Sequence, residues 1–276
     1  MKVRILTSIG MAVVGIPILI FSKYIIYPIT ISLLAFIAVF EMMRVIGVDK
    51  KYYISVPPYL MALLLPMFAY FYPKEYTVIF LLVTAGVFFA YLLYLFFTAV
   101  FMRGNLKYAE VCQVFASVTY VIMSFTSLSI LRYMTGGIWN IVMLLVAAWG
   151  SDVFAYFTGM LFGKHKLIPE ISPKKTVEGS IGGIVCATLI MLLYGFIVSK
   201  ATSLTPNYIV LAVAGLLLSA TSQIGDLVAS LIKRENGVKD YGNIFPGHGG
   251  VMDRFDSVIS ITTVLMVICI LFPPFV

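Results

Sequence analysis

Long apolar runs follow one another along nearly the whole chain, and this feature limits the possible folds more than any other. Successive runs reach the ~20 residues that a helix needs to cross the hydrocarbon core of a bilayer. Hydrophobic residues make up 61% of the 276 residues and charged residues only 11%, a balance that excludes an ordinary soluble domain. We therefore predict an all-α polytopic membrane protein with short loops.

The apolar runs predict about nine transmembrane helices. The first begins after a basic N-terminus, but no small-x-small cleavage site follows it, so we interpret it as a span and not as a signal peptide. Because the first two runs contain Pro17 and Pro28, they fit either a pair of short helices or one kinked unit. The predicted spans are 5–22, 25–43, 53–72, 76–101, 108–130, 138–162, 177–198, 207–231 and 257–274.

Lysine and arginine are concentrated in every second loop, which predicts the orientation of the chain. Each loop in between carries a single basic residue, namely Lys23, Lys74, Arg132 or Lys200. The positive-inside rule then places the N-terminus and the loops 163–176 and 232–256 in the cytoplasm, and an odd number of spans places Val276 outside. We expect a multi-pass protein of the plasma membrane. Although the net charge is +7, the basic residues form no continuous stripe, so we exclude nucleic acid as a partner.

Charged residues are especially dense in one segment, residues 230–256, which we call the motif segment. So many charges beside membrane spans indicate a charged substrate, a metal ion, or both. The chain has no GxxxxGK[ST] or GxGxxG motif, so a nucleotide site would have to be built from membrane helices and these loops. The charged and titratable residues of the motif segment are Lys233, Arg234, Glu235, Lys239, Asp240, His248, Asp253, Arg254 and Asp256.

Three carboxylates in or beside the motif segment have the pattern of a magnesium site. Asp226 lies in the eighth span, on a helical face with Ser219, Ser222 and Gln223, and it is costly there unless paired or metal-bound. The alternative for this face is a hydrogen-bonding stripe between packed helices. Asp253 and Asp256 are three residues apart and would face one way in a helix. Their alternative role is that of acids favoured by a helix N-terminus. Together the three favour Mg²⁺, which prefers oxygen ligands.

The glycines of the motif segment and its cations favour phosphate binding. In FPGHGG, Gly249 and Gly250 would let backbone N–H groups approach an anion closely. His248 would either donate to a phosphate or be a satisfied loop histidine. The four cations Lys233, Arg234, Lys239 and Arg254 suit diphosphate or lipid phosphate oxygens, with membrane anchoring as the alternative.

A second cluster of polar residues lies between 151 and 183. Asp152 is another carboxylate inside a span, with a structural partner as its alternative role. Lys174 and Lys175 precede the seventh span, whose predicted N-cap is Thr176, and would form an anion site with the helix N-terminus. We expect His165 to be an interfacial charge. Gly179, Gly182 and Gly183 would let a neighbouring helix or a lipid head group come close.

From Ser230 to Asp256 the sequence resembles the signature of the phosphatidate cytidylyltransferases, or CDP-diacylglycerol synthases. The matching pattern is S-x-x-KR-x4-KD-x-G-x2-F-P-x-HGG-V-x-DR-F-D, and the stretches SDVFAYFTG and ISPKKTVEG are also similar. The resemblance covers roughly residues 138–276, while 1–137 resembles the family only as a run of apolar helices. We accordingly divide the chain into 1–137, for packing and dimer contacts, and 138–276, for catalysis.

The resemblance implies a reaction in which CTP and phosphatidic acid give CDP-diacylglycerol and diphosphate. It implies that Asp226 and Asp253 hold Mg²⁺ and that Asp256 supports them. From their positions inside the spans, we expect Asp152 and Ser222 to lie just behind these ligands. The resemblance also implies a second cation, divalent or K⁺, a cavity open to the cytoplasm and the bilayer, and a homodimer. By the same match, the phosphate contacts fall to Lys233, Arg234, Lys239 and His248.

Two other functions fit a polytopic chain with charges inside its spans. A CTP-dependent polyprenol or phytol kinase would transfer the γ-phosphoryl group and leave cytidine out of the lipid. A transporter of a phosphorylated solute would need a midplane site reachable from both sides, whereas these charges crowd the predicted cytoplasmic ends. The CDP-alcohol phosphotransferases carry DG-x2-AR, and the chain has no such run.

Overall fold

The computed structural model describes residues 2–72, 74–102 and 106–276, and within these ranges the chain is mostly helical. The predicted all-α class and the nine predicted helices are both confirmed for this part of the chain. The helices are α1 Lys2–Ile20, α2 Ile26–Val45, α3 Tyr52–Phe71, α4 Thr77–Phe101, α5 Tyr108–Tyr133, α6 Ile138–Phe162, α7 Val177–Ala201, α8 Tyr208–Glu235 and α9 Met252–Leu271.

Eight of these helices, α2 to α9, are long and apolar enough to cross a membrane. In α1 the described apolar part, Leu6–Ile20, is shorter, so its crossing of the bilayer stays a prediction. Many large apolar side chains on these helices are exposed, for example Leu82 and Phe97 of α4. In a chain of this composition such side chains are suited to contact with lipid.

The helices on either side of the motif segment are longer than predicted. α8 continues to Glu235 and α9 already begins at Met252, so the connection is 236–251 and not 232–256, and the predicted start at 257 is wrong. Lys233 and Arg234 lie in the last turn of α8 and Asp253 lies in the first turn of α9. Both placements are favourable because cations stabilise a helix C-terminus and anions an N-terminus. A hydropathy boundary set by the charged residues therefore cut both helices short.

The predicted loop 163–176 contains a small antiparallel hairpin that we did not predict. Its strands are β1 Lys166–Ile168 and β2 Ser172–Thr176, with Lys166 paired to Thr176. β2 leads directly into α7, where the Thr176 hydroxyl accepts a hydrogen bond from the Gly179 N–H at 3.1 Å. Thr176 is thus confirmed as the N-cap of α7, and the hairpin fixes the lysines that precede it.

The chain forms two compact units. The first consists of residues 1–130 together with 240–254, and the second of 131–239 together with 255–276. In the first unit α2 packs along α3, and the fully buried Tyr27 donates its hydroxyl hydrogen to the Leu128 carbonyl. The division into 1–137 and 138–276 that we made by function stays a prediction.

In the second unit, α6 packs closely along α7 because α7 carries glycines at the contact. A Cβ atom at Gly182 would lie 2.5–2.6 Å from the side chain of Thr158, and one at Gly179 would lie 2.7 Å from the Ala155 carbonyl oxygen. Gly183 also faces α6 through Ala155 and the Ser151 carbonyl. Small residues let two helix backbones approach in this way. The contacts support the helix-packing alternative for these three glycines.

Candidate active site

Part of the polar face of α8 joins helices of the second unit. The Gln223 amide donates to the Ser151 hydroxyl of α6 at 3.2 Å and to the Ser180 carbonyl of α7 at 3.1 Å, and it accepts from the Ser180 hydroxyl at 2.5 Å. Ser219 and Gln223 are buried, and the Ser151 hydroxyl donates to the Ser219 carbonyl. This part of the face therefore serves as the hydrogen-bonding stripe that the sequence left as an alternative.

One helical turn further along, the same face of α8 carries Asp226. The carboxylate pairs with the Lys175 ammonium of β2, with 2.5 Å between Nζ and Oδ2. Both side chains are only partly exposed, 25% for Lys175 and 30% for Asp226. Lys175 also donates to the Gln223 carbonyl at 3.5 Å, so the hairpin is tied to α8 at this point. The sequence predicted both residues as site residues but did not predict their pairing.

Asp152 of α6 and Asp256 of α9 are joined through Ser257. The Ser257 hydroxyl donates to Asp152 Oδ2 at 3.2 Å and also lies 3.5 Å from Asp256 Oδ1. The Ser257 N–H donates to the same Asp256 oxygen at 2.8 Å. Ser257 is buried, so water has little access to replace these bonds. Ser257 thereby holds the carboxylates of two different helices in fixed positions.

The three carboxylates Asp152, Asp226 and Asp256 lie within electrostatic range of one another, and we call them the carboxylate cluster. Lys175 acts on Asp152, and Lys233 acts on Asp256. Three acids and two lysines leave an excess of negative charge, and the like charges of the carboxylates repel one another. Such a cluster gains stability from a further cation.

The residues around the cluster fit a magnesium ion. Carboxylate oxygens are its preferred protein ligands, and the buried Ser222 hydroxyl, one turn before Asp226, has no hydrogen-bond partner among the described residues. Across 2–72, 74–102 and 106–276, no three His, Cys, Asp or Glu side chains are already arranged to hold a metal ion. Mg²⁺ characteristically uses one or two carboxylates and takes its remaining ligands from water and substrate phosphates, so the donor set remains suitable.

Asp253 belongs to the first unit, where it organises the backbone of the motif segment. Its Oδ2 atom accepts hydrogen bonds from the Tyr241 N–H at 2.7 Å and the Gly250 N–H at 2.9 Å. Gly249 has a φ of +84°, and a Cβ there would lie 2.6 Å from Asp253 Oδ2. Two backbone donors on one oxygen fix the orientation of a carboxylate, as outer partners of metal ligands do. Metal binding by Asp253, and phosphate binding by Gly249 and Gly250, stay predictions.

The other predicted phosphate ligands differ in their surroundings. His248 has its Nε2 atom 3.2 Å from the Ser8 hydroxyl, while its buried Nδ1 atom has no partner among the described residues. An unsatisfied ring nitrogen favours the phosphate role of His248 over that of a satisfied loop histidine. Four predicted phosphate ligands are exposed at the surface: Lys174, Arg234, Lys239 and Arg254.

Two carboxylates that we did not single out, Glu178 and Glu41, have clear hydrogen-bond partners in the structure. Glu178 lies 2.6 Å from the Nδ1 atom of His165, whose role as an interfacial charge stays a prediction, and it also accepts from the Lys164 N–H at 3.1 Å. Glu41 of α2 is 1% exposed and accepts two backbone hydrogen bonds from the motif segment. The signal that could have found Glu41 is a lone carboxylate inside an apolar span. Ser257 gave no comparable signal, because serine is common in such helices.

Comparison with known proteins gives matches over nearly the whole chain. The model of a family described as "Cytidylyltransferase family" matches residues 2–272. A protein of Bacillus subtilis strain 168 named phosphatidate cytidylyltransferase is 37% identical over 99% of this chain and 98% of its own length. Proteins of the same name from Staphylococcus saprophyticus and Staphylococcus haemolyticus are 33% and 32% identical, each over 98% of this chain and 99% of their own length.

Proposed function

The chain belongs to the cytidylyltransferase family, and we propose that it transfers the cytidylyl group of CTP to phosphatidic acid. The products are CDP-diacylglycerol and diphosphate. The observation that carries this proposal is the near-full-length similarity to curated relatives named phosphatidate cytidylyltransferase. The match includes both the first helices and the motif segment.

In this reaction a phosphate oxygen of phosphatidic acid attacks the α-phosphorus of CTP. The bond from the α-phosphorus to the bridging oxygen of the diphosphate breaks, and the diphosphate leaves with the electron pair. The lipid itself supplies the nucleophile, so the protein has to position two anions and does not have to form a covalent intermediate. Bringing these anions together in a medium of low dielectric is prohibitive without cations.

The carboxylate cluster provides the place where a cation would be held. Asp226 and Asp256 would be its ligands, while Ser257 holds Asp256 through its N–H and Asp152 through its hydroxyl. Bound Mg²⁺, alone or with a second cation such as K⁺, would polarise the reacting phosphates and offset their charge. Lys175 and Lys233 lie within electrostatic range of the cluster, where their charges would favour the incoming phosphates.

The proposed function also defines where the substrates and partners meet. CTP is a cytoplasmic solute, so the cluster and the motif segment are assigned to the cytoplasmic side, as the distribution of lysine and arginine predicts. Phosphatidic acid would enter sideways from the bilayer, since its acyl chains stay in the hydrocarbon region. We further propose that the protein acts as a homodimer, as the family resemblance implies.

The proposal is tested by incubating purified protein with phosphatidic acid, Mg²⁺ and CTP labelled either in cytosine or at the γ-phosphate. We expect the cytosine label, and not the γ label, in the lipid fraction, together with free diphosphate. A γ label in the lipid would instead identify a lipid kinase. If the protein is folded and supplied with Mg²⁺ but neither label enters the lipid, the proposed function is contradicted.

A further inference from the structure

Glu41 is a buried carboxylate in the N-terminal half of the chain, which the reaction described above does not use. It lies near the end of α2 and is 1% exposed. Its Oε1 atom accepts a hydrogen bond from the Val251 N–H at 3.0 Å, and its Oε2 atom accepts one from the Met252 N–H at 2.9 Å. A charged side chain buried to this degree is stable only when it is well paired, and both of its oxygens are engaged here.

The two N–H groups that donate hydrogen bonds to Glu41 lie at the start of α9. The first N–H groups of a helix have no partner within the helix, and a nearby side chain usually satisfies them. Glu41 performs this capping role from a distance of 210 positions in the sequence. The positive end of the α9 dipole also favours a negative charge at this point. A helix of the first half thus determines where the last helix begins.

Two glycines of the motif segment are required by the same carboxylate. A Cβ atom at Gly242 or at Gly250 would overlap with the carboxylate of Glu41. The backbone of the segment therefore passes closer to Glu41 than any other residue type would permit. Both positions belong to the motif that resembles the family signature. Two of its glycines therefore make room for a side chain of α2.

Arg44, one turn further along α2, holds the same stretch of backbone. Its guanidinium donates to the Tyr241 carbonyl at 2.7 Å, while the Tyr241 N–H donates to Asp253 at 2.7 Å. Tyr241 is completely buried, so its peptide groups depend on these partners. Because the Gly250 N–H also donates to Asp253, the backbone that α2 holds is the backbone that orients the Asp253 carboxylate.

We propose that Glu41 is a positioning residue, which fixes the motif segment so that Asp253 keeps the orientation needed to hold a metal ion. Arg44 assists it at the neighbouring turn. The metal-related part of this inference rests on the proposed function, whereas the fixing of the backbone does not. It gives a definite role to α2, in the half of the chain that contains none of the motif stretches described in the sequence analysis.

The test compares Glu41→Gln with the unaltered protein in two measurements. Glutamine has the same shape, but its amide nitrogen is a donor and cannot accept an N–H, so one of the two capping bonds is lost. We expect hydrogen exchange to accelerate about 10–100-fold at whichever of the Val251 and Met252 amides loses its acceptor. We also expect the Mg²⁺ concentration for half-maximal velocity to rise about 10–100-fold, as for other outer partners of metal ligands.

Glu110→Gln is the matched control, because it removes the same charge from another carboxylate of the first unit that accepts a backbone N–H. Glu110 accepts from the Lys107 N–H at 2.7 Å, outside the motif segment. We expect it to leave both readouts unchanged. If Glu41→Gln does not fold, Arg44→Gln serves as a milder variant, with the same direction of change expected at Tyr241 and in the Mg²⁺ dependence.

The possible outcomes separate this inference from the proposed function. A purely structural role for Glu41 would lower the yield of folded protein but leave the half-saturating Mg²⁺ concentration of the folded fraction unchanged, and that result would overturn the inference. Unchanged exchange at Val251 and Met252 would overturn it as well. If the unaltered protein forms no CDP-diacylglycerol, the proposed function fails, while the exchange measurement still tests the fixing of the backbone.

Discussion

Replacing Ser257 with alanine should weaken magnesium binding without unfolding the protein. The change removes the hydroxyl that donates to Asp152 at 3.2 Å. It leaves in place the hydrogen bond from the Ser257 N–H to Asp256. A hydrogen bond to a charged group contributes about 1.5–3 kcal/mol, and the 7% exposure of Ser257 leaves little water to replace it. At about 1.4 kcal/mol for each factor of ten, this predicts a rise of roughly 10–100-fold in the half-saturating Mg²⁺ concentration.

The assay is the rate of lipid labelling from cytosine-labelled CTP, measured over a range of Mg²⁺ concentrations. At saturating Mg²⁺ we expect most of the velocity to return, because the carboxylates themselves are still present. Ser260→Ala is the control, since the Ser260 hydroxyl donates to the Ser257 carbonyl of its own helix, at 2.7 Å, and not to a carboxylate of the cluster. If both variants have the same Mg²⁺ dependence as the unaltered protein, the reasoning that couples Asp152 to the cation site is refuted.

Two further changes test the second unit. The added methyl group of Gly182→Ala should overlap with Thr158 and destabilise the contact of α6 with α7 by about 1–3 kcal/mol, which lowers the midpoint of thermal unfolding in detergent. Gly86→Ala is the control, because Gly86 has open space around it, and its midpoint should not change. Equal midpoints for the two variants would contradict the packing account. Lys175→Gln should leave Asp226 without its ion pair, so the half-saturating Mg²⁺ concentration should fall. At the same time kcat should fall about tenfold, because a cation that binds phosphate is lost. An unchanged dependence of the rate on Mg²⁺ concentration would refute the pairing as a feature of the site.

The helices were predictable because long apolar runs have few alternatives in a membrane protein. The helix boundaries were predicted wrongly where charged residues lie within the end of a helix. Residues 252–256 are polar enough to end a hydropathy window, but Glu41 and Asp253 supply hydrogen-bond acceptors at that end, so α9 begins at Met252. The hairpin 166–176 was missed because its pairing depends on the register between two short, polar strands and not on a hydrophobic pattern.

The candidate site was predictable to the extent that it consists of unusual residues. Asp152 and Asp226 stood out as carboxylates inside spans, and the structure brings both together with Asp256. The sequence could not indicate that Ser257 joins two of them or that Lys175 pairs with Asp226. Those contacts link α6, the hairpin, α8 and α9, and no local pattern specifies which helices are neighbours.

The proposed transfer reaction depends on the binding of a divalent cation by the carboxylate cluster. Mn²⁺ binding to the purified protein in detergent, with a non-hydrolysable CTP analogue, can be followed by electron paramagnetic resonance. We expect Asp226→Asn to weaken Mn²⁺ binding at least about tenfold, while Asp49→Asn, which removes the same charge outside the cluster, leaves it unchanged. Equal binding by the unaltered protein and both variants would contradict the claim.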